Sequence, residues 1–345
     1  MVAHGRHYTV RRYLTAKARL TAAGWMRLPN CGRRPIIGGS CGARPHQAVA
    51  LWLLLVAAAA CGVPEPTPAP PTPESITATP ASASAVAETP SATEAIPAEP
   101  TLAGSCGDDQ GVIEEGKYPG AAVPGEIPYL VYLPPCYQDN TGTYPVLYLL
   151  HGYPYDERHW KTLGTPDRAD AGIRSGEWPP FLIVMPLQPE PLFRSSDGGP
   201  GSYESEMLEG LVPYVDQNYR SERSRRGLAG VSRGGIWALE IAFRNPLVFP
   251  AVAALSPALA VNAARPPYNP FEIVRSGAAL PQHVLLIAGD QDWAAVETRR
   301  LSQALSENGV EHSFLIVSGA HEDATWASAM VQVLEFFGRG WALEP

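Results

Sequence analysis

Five short apolar runs limit most tightly what this chain can fold into. Residues 129–133 stop at Pro134 and Pro135, residues 145–150 run into His151 and Gly152, and residues 181–185, 283–288 and 314–317 follow, with a shorter strand-like entry at 226–229. The runs are too short for stable helices and nearly continuous in apolar character, the pattern of strands covered on both faces. Between them the spacing turns helical. Leu208, Leu211, Val212, Val215 and Tyr219 share one face, with a kink expected at Pro213. Leu301, Ala304 and Leu305 do the same ahead of Asn308 and Gly309, and Trp326, Met330, Val333 and Phe337 form a last amphipathic face closed by Gly338. Strands alternating with helices predict an α/β fold with a mostly parallel central sheet and helices on both faces.

The ends of the chain differ in character. Residues 1–60 hold nine Lys and Arg and no Asp or Glu, so the total of -8 leaves about -17 on the remainder. A body that acidic argues against nucleic acid as a partner. Arg33, Arg34 and Arg44 precede an apolar stretch at 47–60 that is too short for a comfortable bilayer span, and small residues stand ahead of Cys61. This matches an export signal over residues 1–60, with Met26 as an alternative start. Cys61 resembles the lipidated cysteine of a bacterial lipobox, with Ala58 where leucine is usual; simple cleavage and an uncleaved anchor are the alternatives. Residues 61–105 are Pro, Thr and Ala-rich and cannot bury enough apolar surface to offset ordering entropy, so a disordered tether is expected, or else a glycosylated stalk. The folded domain is expected over 106–345. Cys106 and Cys136, as an exported pair, are expected to be bridged. No CxxC or Cys/His cluster exists, so no metal site is expected.

Gly230-Val231-Ser232-Arg233-Gly234 lies between the strand-like entry and a helical segment at 236–242. Strand, sharp turn and helix form the setting in which a serine hydroxyl is lifted clear of a sheet, and glycines on both sides remove the clashes such a turn would cause. A serine becomes a nucleophile only when a base takes its proton and an acid supports the base. In this kind of sheet both follow later strands, in the order serine, acid, histidine. His312 precedes the run at 314–317 and so lies at the wrong end of its strand, whereas His321 follows it at the carboxyl edge; His321 is the chosen base. The acid is Asp292, with Asp290 the alternative and a candidate for organising the turn, and Glu272 and Glu297 weaker substitutes. Backbone N–H groups of Arg233 and Tyr153 are the expected donors to an oxyanion, with Gly152 allowing close approach. His151 is read as a residue that fixes this loop, and the Arg233 side chain as solvated or as a charge for an anionic substrate.

Taken together, these motifs resemble the putative-esterase family of α/β-hydrolases, which includes S-formylglutathione hydrolases, feruloyl esterases, enterochelin esterases and mycolyltransferases. The resemblance runs from about Gly125 to Phe337. It rests on Tyr144 to Gly152 with Asp156, Glu157 and Trp160, on Leu211 to Val215 before Tyr219 and Arg220, on Leu228 to Gly235, on Gly289 to Asp292, and on Gly319-Ala320-His321 with Trp326. It implies the α/β-hydrolase fold and a triad of Ser232, Asp292 and His321. Arg233 departs from the family's commoner methionine, and Tyr153 from a frequent glycine.

The expected function is that of an exported serine esterase acting on a small-molecule or glycan-linked ester without metal or organic cofactor, lipid-anchored at the outer face of the cell membrane. An acyltransferase using the same acyl-enzyme, or a non-catalytic binding module on the same fold, are the rivals. The loop at 188–203, with Phe193 and Arg194, is expected to border the substrate pocket.

Overall fold

The structure, a computed structural model, describes residues 110–343, the Phe193 side chain excepted. These fall in one unit of the chain, Pro90–Pro345. The segments read as an export signal and a tether, with Cys61 and Cys106, lie outside the described residues.

Eight strands among the described residues make one sheet: β1 (Val112–Pro119), β2 (Glu126–Leu133), β3 (Tyr144–Leu150), β4 (Leu182–Pro186), β5 (Ser221–Val231), β6 (Ala251–Leu255), β7 (His283–Gly289) and β8 (Ser313–Val317). Their spatial order is β1-β2-β4-β3-β5-β6-β7-β8. β1 and β2 are antiparallel to their neighbours, and every pair from β4 to β8 is parallel. The helices are α1 (His159–Thr162), α2 (Thr165–Arg174), α3 (Tyr203–Ser205), α4 (Val212–Asn218), α5 (Arg233–Arg244), α6 (Pro270–Arg275), α7 (Ala295–Glu307) and α8 (Asp323–Leu343). The expected mostly parallel sheet is therefore present.

Side chains alternate across the sheet and so feed two cores. Val146, Tyr148 and Leu150 of β3 pack with Ile236, Leu239 and Phe243 of α5 and Leu301 of α7. Leu147 and Leu149 point the other way, into Ile173 of α2 and Trp326, Met330 and Phe337 of α8. Every β3 residue is buried, which is why this run lacks the polar alternation of a one-sided strand. Each fully buried leucine here contributes about 1.5–3 kcal/mol by leaving water.

Two strands escaped the reading of the sequence. β1 reads Val-Ile-Glu-Glu-Gly-Lys-Tyr-Pro and sits at the sheet edge, where only β2 pairs with it. β6 reads Ala-Val-Ala-Ala-Leu and is buried between β5 and β7; its three alanines have little strand preference of their own. The kink expected at Pro213 takes another form. Glu206–Leu211 winds as a π-helix that runs directly into α4, and Pro213, the second residue of α4, follows this wider turn. The buried Glu206 carboxylate accepts the N–H groups of Ala121 and Ala122 at 3.1 and 2.7 Å.

Candidate active site

β5 ends at Val231 and α5 begins at Arg233, so Ser232 alone carries the turn between them. Its backbone sits at φ 55°, ψ -114°, a conformation that costs a non-glycine residue of order 1–3 kcal/mol. Neighbouring elements hold it there. The Ser232 N–H donates to Leu255 O at 2.9 Å, and its carbonyl accepts the Ala258 N–H at 3.0 Å. The flanking glycines are required by contact: a Cβ on Gly230 would fall 2.2 Å from Gly234 O, and one on Gly234 would fall 2.3 Å from Leu150 O.

Parallel strands deliver their following loops to one edge, and there the chain brings three distant residues together. His321, in the turn after β8, has Nε2 at 2.9 Å from Ser232 Oγ. Its Nδ1 lies 2.9 and 3.1 Å from the two carboxylate oxygens of Asp292. Burial by itself would raise the Asp292 carboxyl, but hydrogen bonds from His321, Ser256 and the Ala294 N–H outweigh it and hold the group below its usual range. An ionised Asp292 only accepts, so Nδ1 carries the proton and the Nε2 lone pair faces the serine O–H.

Asp290 does something else: its Oδ1 accepts the Gly319 N–H at 2.9 Å, pinning the turn that carries His321. The Ala294 N–H ahead of α7 is bonded at 2.7 Å by Asp292 itself. His312 bonds Ser302 Oγ at 2.7 Å and the Val310 carbonyl at 2.9 Å. Glu272 and Glu297 pair with Arg275 and Arg300 on the surface.

Gly152 lies so close to the nucleophile that a Cβ there would sit 3.2 Å from Ser232 Cβ. Tyr153 follows directly in the chain. His151 fixes the loop in a definite tautomer. Its Nε2 accepts the Gln188 N–H at 2.9 Å, so its Nδ1–H donates to the Gly152 carbonyl, also at 2.9 Å. Burial lowers its affinity for a proton more than the Gly152 bond raises it, which keeps the ring neutral.

Three residues at the site had no contact with the triad assigned to them from the sequence, although Trp326 was among the residues that carry the family resemblance. Trp293 packs at a 37° tilt with its ring 4.5 Å from the His321 ring and is 48% exposed. Trp326 meets the same ring edge-on at 5.0 Å and donates its Nε1–H to Ser256 Oγ at 3.2 Å. Ser256 directly follows β6 at φ 44° and lies beside Asp292. A polar residue immediately after a buried strand at the carboxyl edge was the available signal for it. His159 is a further addition, buried, stacked on Tyr155 at 3.6 Å and bonded to Asp323 at 3.0 Å, two residues beyond His321.

The arginine that reaches inward is not the one proposed for the pocket loop. Arg194 is exposed and paired with Glu190 at 3.2 Å, with 82% of its side chain in solvent. Arg233, expected to be solvated or free for an anionic substrate, turns its guanidinium to the Ser195 carbonyl of that loop. Among the described residues no group of His, Cys, Asp and Glu is placed to hold a metal ion, and no helix is long and apolar enough to cross a membrane.

A family model described as "Putative esterase" matches residues 120–344. The protein of Xylanibacter ruminicola named endo-1,4-beta-xylanase/feruloyl esterase is 27% identical over 216 residues, covering 59% of this chain and 28% of that protein. Esterase Rv1288 of Mycobacterium tuberculosis is 36% identical over 122 residues, 32% of this chain and 25% of that one. The chain thus spans about a quarter of the length of these curated relatives. A solved structure named ferulic acid esterase is similar at 26% identity with a TM-score of 0.60, covering 67% of this chain and 98% of the other. The S-formylglutathione hydrolase of Staphylococcus aureus, at 19% identity and a TM-score of 0.57, covers 66% and 98% and is alike in fold.

Proposed function

The chain belongs to the putative-esterase family, and from that premise we propose that it is an exported serine hydrolase which cleaves a carboxylic ester through an acyl-enzyme on Ser232. It has the α/β-hydrolase fold of such esterases. The observation that carries the reading is the unbroken run of hydrogen bonds from Ser232 Oγ through the His321 ring to an Asp292 held in its ionised form.

In this mechanism His321 Nε2 takes the Ser232 proton as Oγ forms a bond to the ester carbonyl carbon. The carbonyl oxygen becomes an oxyanion that the Tyr153 and Arg233 N–H groups stabilise. The tetrahedral adduct collapses as the carbon–oxygen bond to the alcohol breaks, and Nε2–H passes its proton to the departing oxygen. A water then gives its proton to Nε2 and its oxygen to the acyl carbon, and the second collapse returns the proton to Ser232 and releases the acid. Asp292 keeps Nδ1–H throughout and stabilises the transient imidazolium.

Because Nε2 must reach the leaving oxygen, the alcohol lies on the His321 side, against the half-exposed Trp293. The acyl group then falls on the other flank of β5, toward the loop after β4. Relatives named feruloyl esterase make hydroxycinnamoyl esters the first acyl class to test. Turnover of a panel of feruloyl, acetyl-sugar and thioester substrates, with fluorophosphonate labelling at Ser232, checks the proposal; no turnover and no label would return the chain to a binding role. Export would place Cys136, which is disulfide-bonded, in an oxidising compartment with Cys106 as its partner, and would leave Cys61 lipidated at the mature terminus. An intact mass without acyl chains on Cys61 would end the lipid assignment.

A further inference from the structure

The loop between β4 and α3 is held by side-chain groups at Ser195, Asp197 and Gly199 and is closely approached at Gly198, and two of the groups that meet it lie on one face of α5. Arg233 and Glu240 are seven residues apart, which returns them to the same side of the helix. The Arg233 guanidinium donates to the Ser195 carbonyl. The Glu240 side chain is fully buried, lies against Gly198, and completes no hydrogen bond with either carboxyl oxygen. Glu204, from α3, closes the other side. Its Oε2 accepts the Gly199 N–H at 2.5 Å, while its Oε1 takes Arg244 Nε at 2.9 Å and Asn245 Nδ2 at 2.8 Å. The Glu204 and Glu240 carboxyls bracket Gly198 so closely that a Cβ there would fall 2.4 Å from an oxygen of each. Asp197, between them in the loop, accepts the Arg265 N–H at 2.7 Å and its Nε at 2.6 Å.

The far end of the loop is tied to the same machinery, since the Gln188 N–H bonds the His151 ring that fixes Gly152. The strand order places the loop's origin, β4, on the opposite flank of β5 from β7 and β8, which supply Asp292 and His321. With the alcohol on the His321 side, the loop that leaves β4 emerges on the flank left for the acyl group.

We propose that the Arg233 side chain and the buried Glu240 carboxyl clamp residues 195–199 as a fixed wall on the acyl side of the site, and so set the size of acyl group that Ser232 accepts. The inference rests on the esterase reading for its substrate and on geometry alone for the clamp. Both residues act by positioning, Arg233 through its side chain as distinct from its backbone N–H. Glu240 is suited to this role in its neutral form. Burial first, and then the charges of Glu204 and Asp197, push it up to about 9, against the opposing pull of Arg244 and of the nearby Gly198 N–H, which the carboxyl approaches without completing a bond; Arg233 on its own helix face is the remaining charge. Ionising Glu240 sets a second negative charge beside Glu204 across Gly198 and loosens the wall. Since the neutral form predominates below that value, wall and selectivity are intact at pH 7 and decay as pH rises through about 9.

The test reads the ratio of kcat/KM for a bulky acyl ester to that for an acetyl ester of the same alcohol, in the wild type and in Arg233→Met, Arg233→Lys and Glu240→Gln. A charge-assisted bond lost at the wall changes this ratio by about tenfold or more in Arg233→Met, with Arg233→Lys restoring part of it. The wild-type ratio drifts above pH 9, and in Glu240→Gln, which cannot ionise, it does not. Hydrogen exchange reads the clamp without substrate: amide protection over 195–199 falls in Arg233→Met by about the same factor. An unchanged ratio in Arg233→Met, or a pH drift that persists in Glu240→Gln, overturns the proposal. If no ester is turned over by the wild type, the esterase reading fails by itself, and unchanged exchange in Arg233→Met then removes the clamp separately.

Discussion

Ser232→Ala is expected to lower kcat by about 10⁴- to 10⁶-fold on any ester the protein turns over, the range seen when a triad nucleophile is removed and only binding and oxyanion donors remain. Stability should hardly move. Alanine meets the same backbone strain at φ 55°, and the one bond lost is to His321 at 2.9 Å, worth about 1 kcal/mol. Asp292→Asn should cost on the order of 10⁴-fold, because an amide that donates to Nδ1 imposes the wrong tautomer on His321. Asp290→Asn should cost far less. Its Oδ1 bonds a backbone N–H of the His321 turn and does not touch the imidazole, and an asparagine oxygen can accept the same bond. Steady-state kinetics with melting temperatures for the three variants separates chemistry from folding. A Ser232→Ala protein with more than a few per cent of wild-type turnover would remove the acyl-enzyme, and an Asp290→Asn loss equal to that of Asp292→Asn would remove the assignment of the acid.

The second large effect is on folding. In Gly234→Ala the new methyl would fall 2.3 Å from Leu150 O and 2.5 Å from His151 O, carbonyls at the carboxyl end of β3. Neither is the tip of a flexible side chain, so relief requires α5 to move away from β3. Overpacking of that kind costs about 3 kcal/mol, which in a domain of this size lowers Tm by about 6–12 °C. Activity should fall further than stability, because the same shift parts Ser232 from the Gly152 loop. Gly340→Ala is the control of opposite sign. It lies in α8 with open space around its would-be Cβ, and alanine there should raise stability by up to about 1 kcal/mol. Thermal melts of both variants check the pair; a Gly234→Ala protein that melts with the wild type would mean that the elbow does not depend on this contact.

The legibility of the chain followed the range of the interactions involved. β3 and β7 were visible as runs because strands buried on both faces must be apolar throughout. The serine turn was visible because its glycines stand two residues to each side of Ser232. β6 was not, since three of its five residues are alanine, which has little strand preference of its own. Ser256 was hidden for the same reason, as the residue that ends β6. The inward turn of Arg233 could not be read either: an arginine after a nucleophile has the same local pattern whether it faces water or a carbonyl 38 residues away.

By itself the sequence determined the alternation of the apolar strands with helices, β1 and β6 apart, the sharp turn at Ser232, and the short list of histidines and carboxylates that could reach it. Those features rest on periodicity and on backbone sterics within a few residues. Only the tertiary structure decided that Asp292 and not Asp290 meets His321, that Trp293 and Trp326 flank that ring, and that the 195–199 segment is bound to α5. Each of these joins groups that the sheet brings to one edge from far apart in the chain, as Ser232 and His321 are 89 residues apart. The energy of such a contact depends on where the intervening strands place its ends, a quantity that no local pattern encodes.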